Sequence, residues 1–211
     1  QHVASCRVVP LVIDEQKIIQ AEQICATRQG VIEIKPIKKV RAGLITTGSE
    51  IFSGRQKDAF EPVIKNKLEQ LGSNLFKQIF VPDDREKIAE AVKILKNEGV
   101  ELILTTGGMS VDPDDLTPSG IKAAGATIIA YGAPVLPGSM FLLAELEGIP
   151  ILGLPGCVMY CKTTVFDLIL PRVLAGETIQ RSDIVKLGHG GLCLNCTICT
   201  FPHCHFGKEG K

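Results

Sequence analysis

The densest set of reactive side chains lies near the C-terminus, where Cys193, Cys196, Cys199 and Cys204 stand among His189, His203 and His205. Thiolate and imidazole are soft or borderline donors, and sulfurs spaced C-x2-C-x2-C-x4-C can converge on a metal centre. Zinc accepts this spacing through four cysteines, or through three cysteines and a histidine. A structural zinc would supply about 10–16 kcal/mol toward ordering so short a segment. The run also approaches the bacterial ferredoxin pattern for an iron–sulfur cluster, with its last gap one residue longer and no proline after the final cysteine. Zinc is the preferred occupant. Disulfides are the remaining alternative, but they need an oxidising compartment and no secretion signal is visible.

A second chemistry is built from oxygen. The segment Leu-Ile-Leu-Thr-Thr-Gly-Gly-Met-Ser-Val-Asp-Pro-Asp-Asp-Leu-Thr-Pro over residues 102–118 reads as a buried strand, a glycine turn and a helix start. Gly107 and Gly108 let the backbone turn tightly and approach a ligand without a Cβ in the way. Ser110 or Asp112 can cap the following helix, and Pro113 suits its first turn. The free N–H groups of such a helix start attract an anion, by roughly 0.3–1 kcal/mol at an exposed site. Asp112, Asp114 and Asp115 crowd the same turn, so a phosphate seated there calls for a divalent cation such as Mg2+ between the charges. Two further segments repeat the strand-to-glycine pattern: residues 41–50, ending in Thr47-Gly48-Ser49-Glu50, and residues 149–159, with a Pro155-Gly156 turn. In an open α/β sheet, turns at the carboxyl ends of strands line one crevice, which is where ligands bind.

The elements that must position these groups follow from periodicity and punctuation. A strand is predicted over 7–13 and a helix capped by Asp14 with apolar positions through Cys25, ended by Gly30. A short strand over 31–35 follows, then Pro36 and the basic pair Lys38-Lys39 at a boundary near residue 40. Strands and helices then alternate: strand 40–46, helix 58–71, strand 75–81, helix 85–97, strand 101–105, a helix from about residue 113, strand 127–131, apolar segment 140–146, strand 150–154 and a long helix 157–174. The fold class is α/β, a three-layer, doubly wound, mostly parallel sheet. Segments 140–146 and 150–154 are close enough to pair as an antiparallel hairpin, which makes the sheet mixed. The domains are predicted as an N-terminal appendage over 1–40 that ends a preceding domain, the α/β domain over 41–180, and the Cys/His-rich tail over 181–211. Cys157 and Cys161 fall on one face of the last helix. A thiolate at Cys157 would gain from the helix start, though small buried hydrophobes are the simpler reading.

Composition bounds the rest. With 211 residues and 45% hydrophobic content the chain can bury a substantial core. Lys+Arg and Asp+Glu balance at 23 each, which recommends neither nucleic acid nor an anionic membrane as a partner. Trp is absent and aromatics reach only 5%, against a stacking platform for single strands. Residues 126–156 are the most apolar stretch, but Glu145, Glu147 and several Gly and Pro residues interrupt it, as buried strands would and a membrane span would not. The chain opens on Gln1 rather than Met, as a piece of a longer protein would, and no targeting segment is visible.

The three strand–glycine segments, in this order and spacing, resemble the molybdopterin-binding domain of molybdenum-cofactor biosynthesis proteins, the molybdenum insertases among them. The resemblance covers about residues 41–175. It implies that the chain binds molybdopterin, or its adenylated form, with Mg2+, for molybdate insertion or cofactor delivery in the cytoplasm. A homo-oligomer and a molybdoenzyme partner are further implications. By the same resemblance Thr47, Gly48 and Glu50, then Thr106, Gly107, Gly108, Met109 and Ser110, with Asp114 and Asp115, would hold the pterin, its phosphate or the cation, and Pro155 and Gly156 the opposite wall. Insertion releases oxo ligands from molybdenum, each needing protons, so a carboxylic acid nearby would help. Asp58 resembles the acidic residue before the domain's first helix, and Asp83 and Asp84 the acidic pair after its second strand. Asp84 can equally cap the helix from Arg85, and Glu50 can equally be a solvated charge. Arg55, Lys57 and Arg85 are surface charges of which one could neutralise the anion.

Three positions depart from the family pattern. The family commonly has Asp where Ser49 stands, Asn-Pro where Cys157-Val158 stand, and Gly at Asp112. These exchanges make binding a firmer expectation than catalysis, with a non-catalytic carrier as one alternative. A nucleotide-pyrophosphate hydrolase is another, because related competence-associated proteins use the same domain on such compounds.

Overall fold

The computed structural model describes residues 10–27, 32–109 and 115–210, which form two compact units, Gln1–Pro36 and Ile37–Lys211. In the first unit a single helix, α1 (Glu15–Thr27), follows Asp14, whose Oδ1 accepts from the Gln16 amide at 2.8 Å. The helix buries no residue. Neither predicted strand forms among the described residues here: Pro10 to Ile13 and Ile32 to Lys35 are irregular, while residues 7–9 and 28–31 lie outside the described set. An apolar run becomes a strand only when a neighbour takes up its N–H and C=O groups, and the described residues of neither run are hydrogen-bonded into a sheet.

The second unit is built on a six-stranded sheet in the order β2-β1-β3-β6-β5-β4, among the described residues. The strands are β1 (Arg41–Thr47), β2 (Asn74–Val81), β3 (Leu102–Thr106), β4 (Thr127–Tyr131), β5 (Leu142–Leu146) and β6 (Ile149–Leu154). β2, β1, β3 and β6 run parallel, and β5 is antiparallel to both β6 and β4. The mixed sheet expected from the sequence is therefore present. The β5–β6 reversal turns on Glu147 and Gly148, at φ 50° and 83°, the left-handed pair that a two-residue hairpin requires.

The central strands are buried on both faces, and alternation sorts their side chains into two cores. Leu44, Leu102, Leu104, Leu152 and Leu154 face one side, packed by α3 (Phe60–Gln70) through Ile64 and Leu68 and by α6 (Val165–Leu174) through Phe166 and Ile169. Ile45, Ile103 and Ile151 face the other, packed by α4 (Arg85–Asn97) through Ile88, Val92 and Leu95 and by α5 (Thr117–Ala123) through Ile121. A short helix, α2 (Ser49–Phe52), follows β1.

Two predicted helices change. The start near residue 113 falls outside the described residues, and α5 begins at Thr117 with Pro118 in its first turn. The long helix over 157–174 is broken: a 3-10 turn covers Gly156–Met159, residues 160–164 are not helical, and α6 starts after Thr164. Thr164 and Asp167 form a capping box there, with the Thr164 amide donating to Asp167 Oδ2 at 2.7 Å. That box satisfies N–H groups a continuous helix would have bonded internally, so the chain can start a new helix inside an apolar run. Lys67 on α3 reaches both the Asp167 carboxylate and, at 3.0 Å, the Lys162 carbonyl, which fixes the loop before α6.

The tail belongs to this second unit. After α7 (Arg181–Lys186) and a 3-10 turn (Leu187–Gly190), Leu192 pairs in parallel with Leu136, and the Cys193 amide donates to the Leu136 carbonyl at 2.8 Å. Leu187 and Phe206 are buried in the core on the α3/α6 side. No helix among the described residues is long and apolar enough to cross a membrane.

Candidate functional site

At the carboxyl ends of β1 and β3 a set of threonines ties the two glycine turns together. Thr47 Oγ1 donates to the Thr106 carbonyl at 3.1 Å and lies 3.2 Å from Thr117 Oγ1, which donates to the Gly107 carbonyl at 3.0 Å. Thr106 Oγ1 donates to Thr46 Oγ1, which also accepts from Gln78 Nε2 at 2.9 Å. Gly107 (φ 81°) sits so close to β1 that a Cβ would come within 2.2 Å of the Thr47 carbonyl oxygen. A Cβ on Gly108 (φ 53°) would meet Thr117 Oγ1 at 2.7 Å. The turn therefore needs both glycines, for conformation and for space.

Beside this turn opens a cavity of about 620 Å3, lined by Gly48, Ser49, Glu50, Gln56, Asp83 and Asp115 among others. Its charged lining residues, Glu50, Asp83 and Asp115, are all acidic. Asp83 bridges two turns: its Oδ2 accepts from the Ser49 amide at 2.9 Å and from Ser49 Oγ at 3.2 Å, while its Oδ1 points toward Gly108. Asp115 approaches Tyr131 at the end of β4, and partial burial together with this carboxylate's charge holds the Tyr131 phenol above its ordinary pKa.

Of the predicted site residues, Gly48, Glu50, Asp83, Gly108 and Asp115 line this cavity, while Thr47, Thr106 and Gly107 lie beneath it as the frame. Met109 has a different place: its side chain is buried, with its terminal methyl and sulfur over Gly153 in the core. Asp58 is outside the cavity lining. Its Oδ1 accepts from the Phe60 amide at 2.8 Å, and its Oδ2 from Gln78 Nε2 at 2.6 Å and the Glu61 amide at 3.3 Å, so it starts α3 and links it through Gln78 to Thr46. Asp84 caps α4, accepting from the Lys87 amide at 2.8 Å. Pro155 and Gly156 end β6, the strand next to β3, and do not line the cavity. Ser110, Asp112, Pro113 and Asp114 lie outside the described residues. Ser49 was singled out from the sequence only as a departure from the family pattern, and Gln56 and Gln78 were not singled out at all. Of the last two, Gln78 carried a signal, as a polar residue within the strand 75–81.

The carboxylates are hard oxygen donors of the kind Mg2+ uses, and that ion is commonly held by one or two carboxylates plus a ligand's phosphates. No group of three or more His, Cys, Asp or Glu side chains converges on one point among the described residues, so nothing here forms a closed cage for a single ion. This applies equally to the tail. Its thiols are free, yet Cys193, Cys196, Cys199 and Cys204 do not close into the compact tetrahedron a zinc ion requires. The four instead line a separate cavity of about 190 Å3. Cys161 joins them there, and Cys199 Sγ lies 3.8 Å from Thr163 Oγ1. Cys157, expected to gain from a helix start, has its thiol pKa pushed up by burial and by neighbouring Cys161.

The comparisons with known proteins agree with this architecture. A family profile described as "Probable molybdopterin binding domain" matches residues 43–175. The molybdopterin molybdenumtransferase of Synechococcus elongatus is 27% identical over 186 residues, covering 83% of this chain and 46% of that protein. The chain thus spans less than half the length of this relative. A CinA-like protein of a Mycobacterium species is 40% identical over 77 residues, 36% of this chain and 18% of that protein. Among solved structures, the molybdopterin biosynthesis enzyme MoaB of Thermus thermophilus superposes with a TM-score of 0.52 at 21% identity, covering 65% of this chain and 98% of that one.

Proposed function

The chain belongs to the molybdopterin-binding domain family of molybdenum-cofactor biosynthesis, and from that premise we propose that the acidic cavity at the ends of β1 and β3 binds the phosphate-bearing end of molybdopterin or its adenylated form. The observation that carries this is a cavity walled by the glycine backbone of residues 48 and 108 and by the carboxylates of Glu50, Asp83 and Asp115. A phosphate beside those carboxylates is repelled at close range. Mg2+ held by Asp83 and Asp115 would supply the positive charge that lets phosphate and carboxylate share the cavity. Thr47, Thr106 and Gly107 keep the turn in place beneath the ligand, and the part of the pterin that extends beyond the cavity would meet Pro155 and Gly156, just past the end of β6. Ser110 and Asp114 complete the assignment.

Molybdate insertion is the reaction proposed for the loaded site. One molybdate oxo group leaves as water, taking the two protons that the dithiol gives up as its sulfurs bond to molybdenum, so charge and atoms balance without an oxidant. The residues' part is to hold the reactants and to pass a proton, for which Asp83, Asp58 and Asp84 are the candidate carboxylates. Asp83 is best placed, because Oδ1 faces the cavity while Oδ2 is anchored by Ser49. The same reading makes the protein a cytoplasmic homo-oligomer that hands its product to a molybdoenzyme.

A carrier without turnover is favoured by one specific feature. The Ser49 hydroxyl donates to Asp83, which satisfies that carboxylate without a cation, whereas an aspartate at position 49 would set two negative charges together and demand one. Anaerobic titration with both pterin forms, with and without Mg2+, tests binding, and product formation from molybdate tests turnover. Mg2+-dependent binding with no product establishes the carrier. No binding to either form overturns both readings and moves the test to phosphate release from nucleotide pyrophosphates.

A further inference from the structure

The cysteine-lined cavity is the second built feature of this unit, and it has no part in the pterin reading. Five cysteines line it, Cys193, Cys196, Cys199 and Cys204 from the tail and Cys161 from the loop before α6. The first three keep the C-x2-C-x2-C spacing, with which a tight loop can present three sulfurs to one cluster. Pro137, Phe201 and Phe206 supply an apolar lining, and Phe201 and Phe206 meet edge to face at 6.3 Å between ring centres.

The frame around the thiols is fixed by groups that are not themselves ligands. The Cys193 amide donates to the Leu136 carbonyl, and the Leu136 amide donates to the Gly191 carbonyl at 2.7 Å. Gly190 packs so closely under the tail that a Cβ there would fall 2.2 Å from the His205 carbonyl oxygen. His205 Nε2 lies 2.6 Å from the Leu192 carbonyl, so this ring nitrogen holds the proton and donates it. With Nε2 engaged, His205 orients the loop instead of offering that atom to a metal.

Size decides the occupant. A zinc ion bonds sulfur at about 2.3 Å, so its four thiolates close to within about 4 Å of one another and leave no space among them. Here Cys193, Cys196, Cys199 and Cys204 share with Cys161 the lining of a cavity of about 190 Å3, more space than a single ion occupies. A cubane cluster is a body of eight atoms whose ligands attach at its four iron corners, so its cysteines stand apart around a cavity. We propose that this site holds a [4Fe–4S] cluster, ligated by Cys193, Cys196, Cys199 and Cys204, with Cys161 as a neighbouring thiol outside the ligand set. Lys162 at the cavity edge offsets part of the charge of the thiolate-bound cluster. Loading from a preassembled [4Fe–4S]2+ cluster carrying four small thiolate ligands is an exchange: each cysteine forms an iron–sulfur bond and gives its proton to the departing thiolate. No electron moves.

The test is metal and sulfide analysis of the full chain, purified without oxygen and separately loaded by that exchange, with Mössbauer spectroscopy on iron-57 material. The expected result is about four iron and four sulfide per chain, with the quadrupole doublet of a cubane cluster. C196S lowers both to background in each preparation, C161S retains them, and all three proteins keep the same far-UV circular dichroism. About one zinc per chain displacing iron, or no metal after exchange, overturns the proposal, as does loss of the cluster in C161S with retention in C204S. Pterin titration of the same preparations separates this outcome from the reading of the acidic cavity, since neither result depends on the other.

Discussion

The two cavities of the α/β unit are built in opposite ways. The acidic one is lined by oxygen donors brought together by the ends of parallel strands: Glu50 follows β1, Asp83 follows β2 and Asp115 follows β3. The cysteine cavity draws four of its five thiols from one irregular segment, in which His205 and backbone amides do the positioning. A site assembled from strand ends inherits the rigidity of the sheet and exists before any ligand arrives. One assembled from a tail depends on the few contacts that seat it. The donor atoms differ to match, hard carboxylates suited to a hydrated cation and phosphate, soft thiolates suited to iron or zinc.

The sharpest way to separate the regions is Phe206→Ala. Phe206 is buried where the tail meets the α3/α6 core, and its truncation should cost about 3–5 kcal/mol in urea unfolding, with loss of bound metal but intact pterin affinity. Loss of both together would mean that the two cavities are one cooperative structure. Gly107→Ala makes the converse cut: a Cβ 2.2 Å from the Thr47 carbonyl at φ 81° should destabilise by about 2–3 kcal/mol and abolish Mg2+-dependent ligand binding, while cysteine-site metal is retained.

Asp83→Asn acts more locally. Replacing a charged acceptor with a neutral one should weaken Mg2+-dependent pterin binding roughly tenfold or more in calorimetry, with little change in binding without Mg2+. An equal loss under both conditions would remove the cation from the account. Thr164→Ala removes the cap of α6 at the loop carrying Cys161 and should lower the urea midpoint by the equivalent of about 1 kcal/mol. The smallest effect concerns Cys157. Its folded pKa is raised by burial and by Cys161, so the protonated thiol contributes stability in full below the unfolded value of about 8.5 and loses it as pH rises through the folded value. Urea midpoints measured across that alkaline window should fall less steeply in Cys157→Ala than in the parent, and parallel slopes would exclude this thiol as the source.

Much of this architecture is legible in local pattern. Alternating apolar strands and amphipathic helices announce the α/β fold, Gly107-Gly108 announces the tight turn, and Asp84 before Arg85 announces a capped helix. The misses share one cause, competition between a local tendency and a partner elsewhere. The apolar run from Cys157 reads as one helix, yet Thr164 and Asp167 cap a new start inside it while Lys67 of α3 pins the loop. Ile32 to Lys35 has strand residues but pairs with no strand among the described residues. Met109 stands in the glycine turn, but the absence of a Cβ on Gly153 opens a core position that its side chain fills.

By itself the sequence determined the donor chemistry of both regions, since the acids of the glycine turns and the cysteines of the tail are readable as residue types at fixed spacings. Only the tertiary structure decided which donors meet. The Ser49 hydroxyl reaches Asp83 because β1 and β2 lie side by side, and Cys161 shares a cavity with the tail cysteines because residues 191–193 dock against Leu136. Spacing along a chain limits how close neighbouring ligands can come. The size of the space they enclose is set by the packing of distant segments, and that size distinguishes a single ion from a cluster.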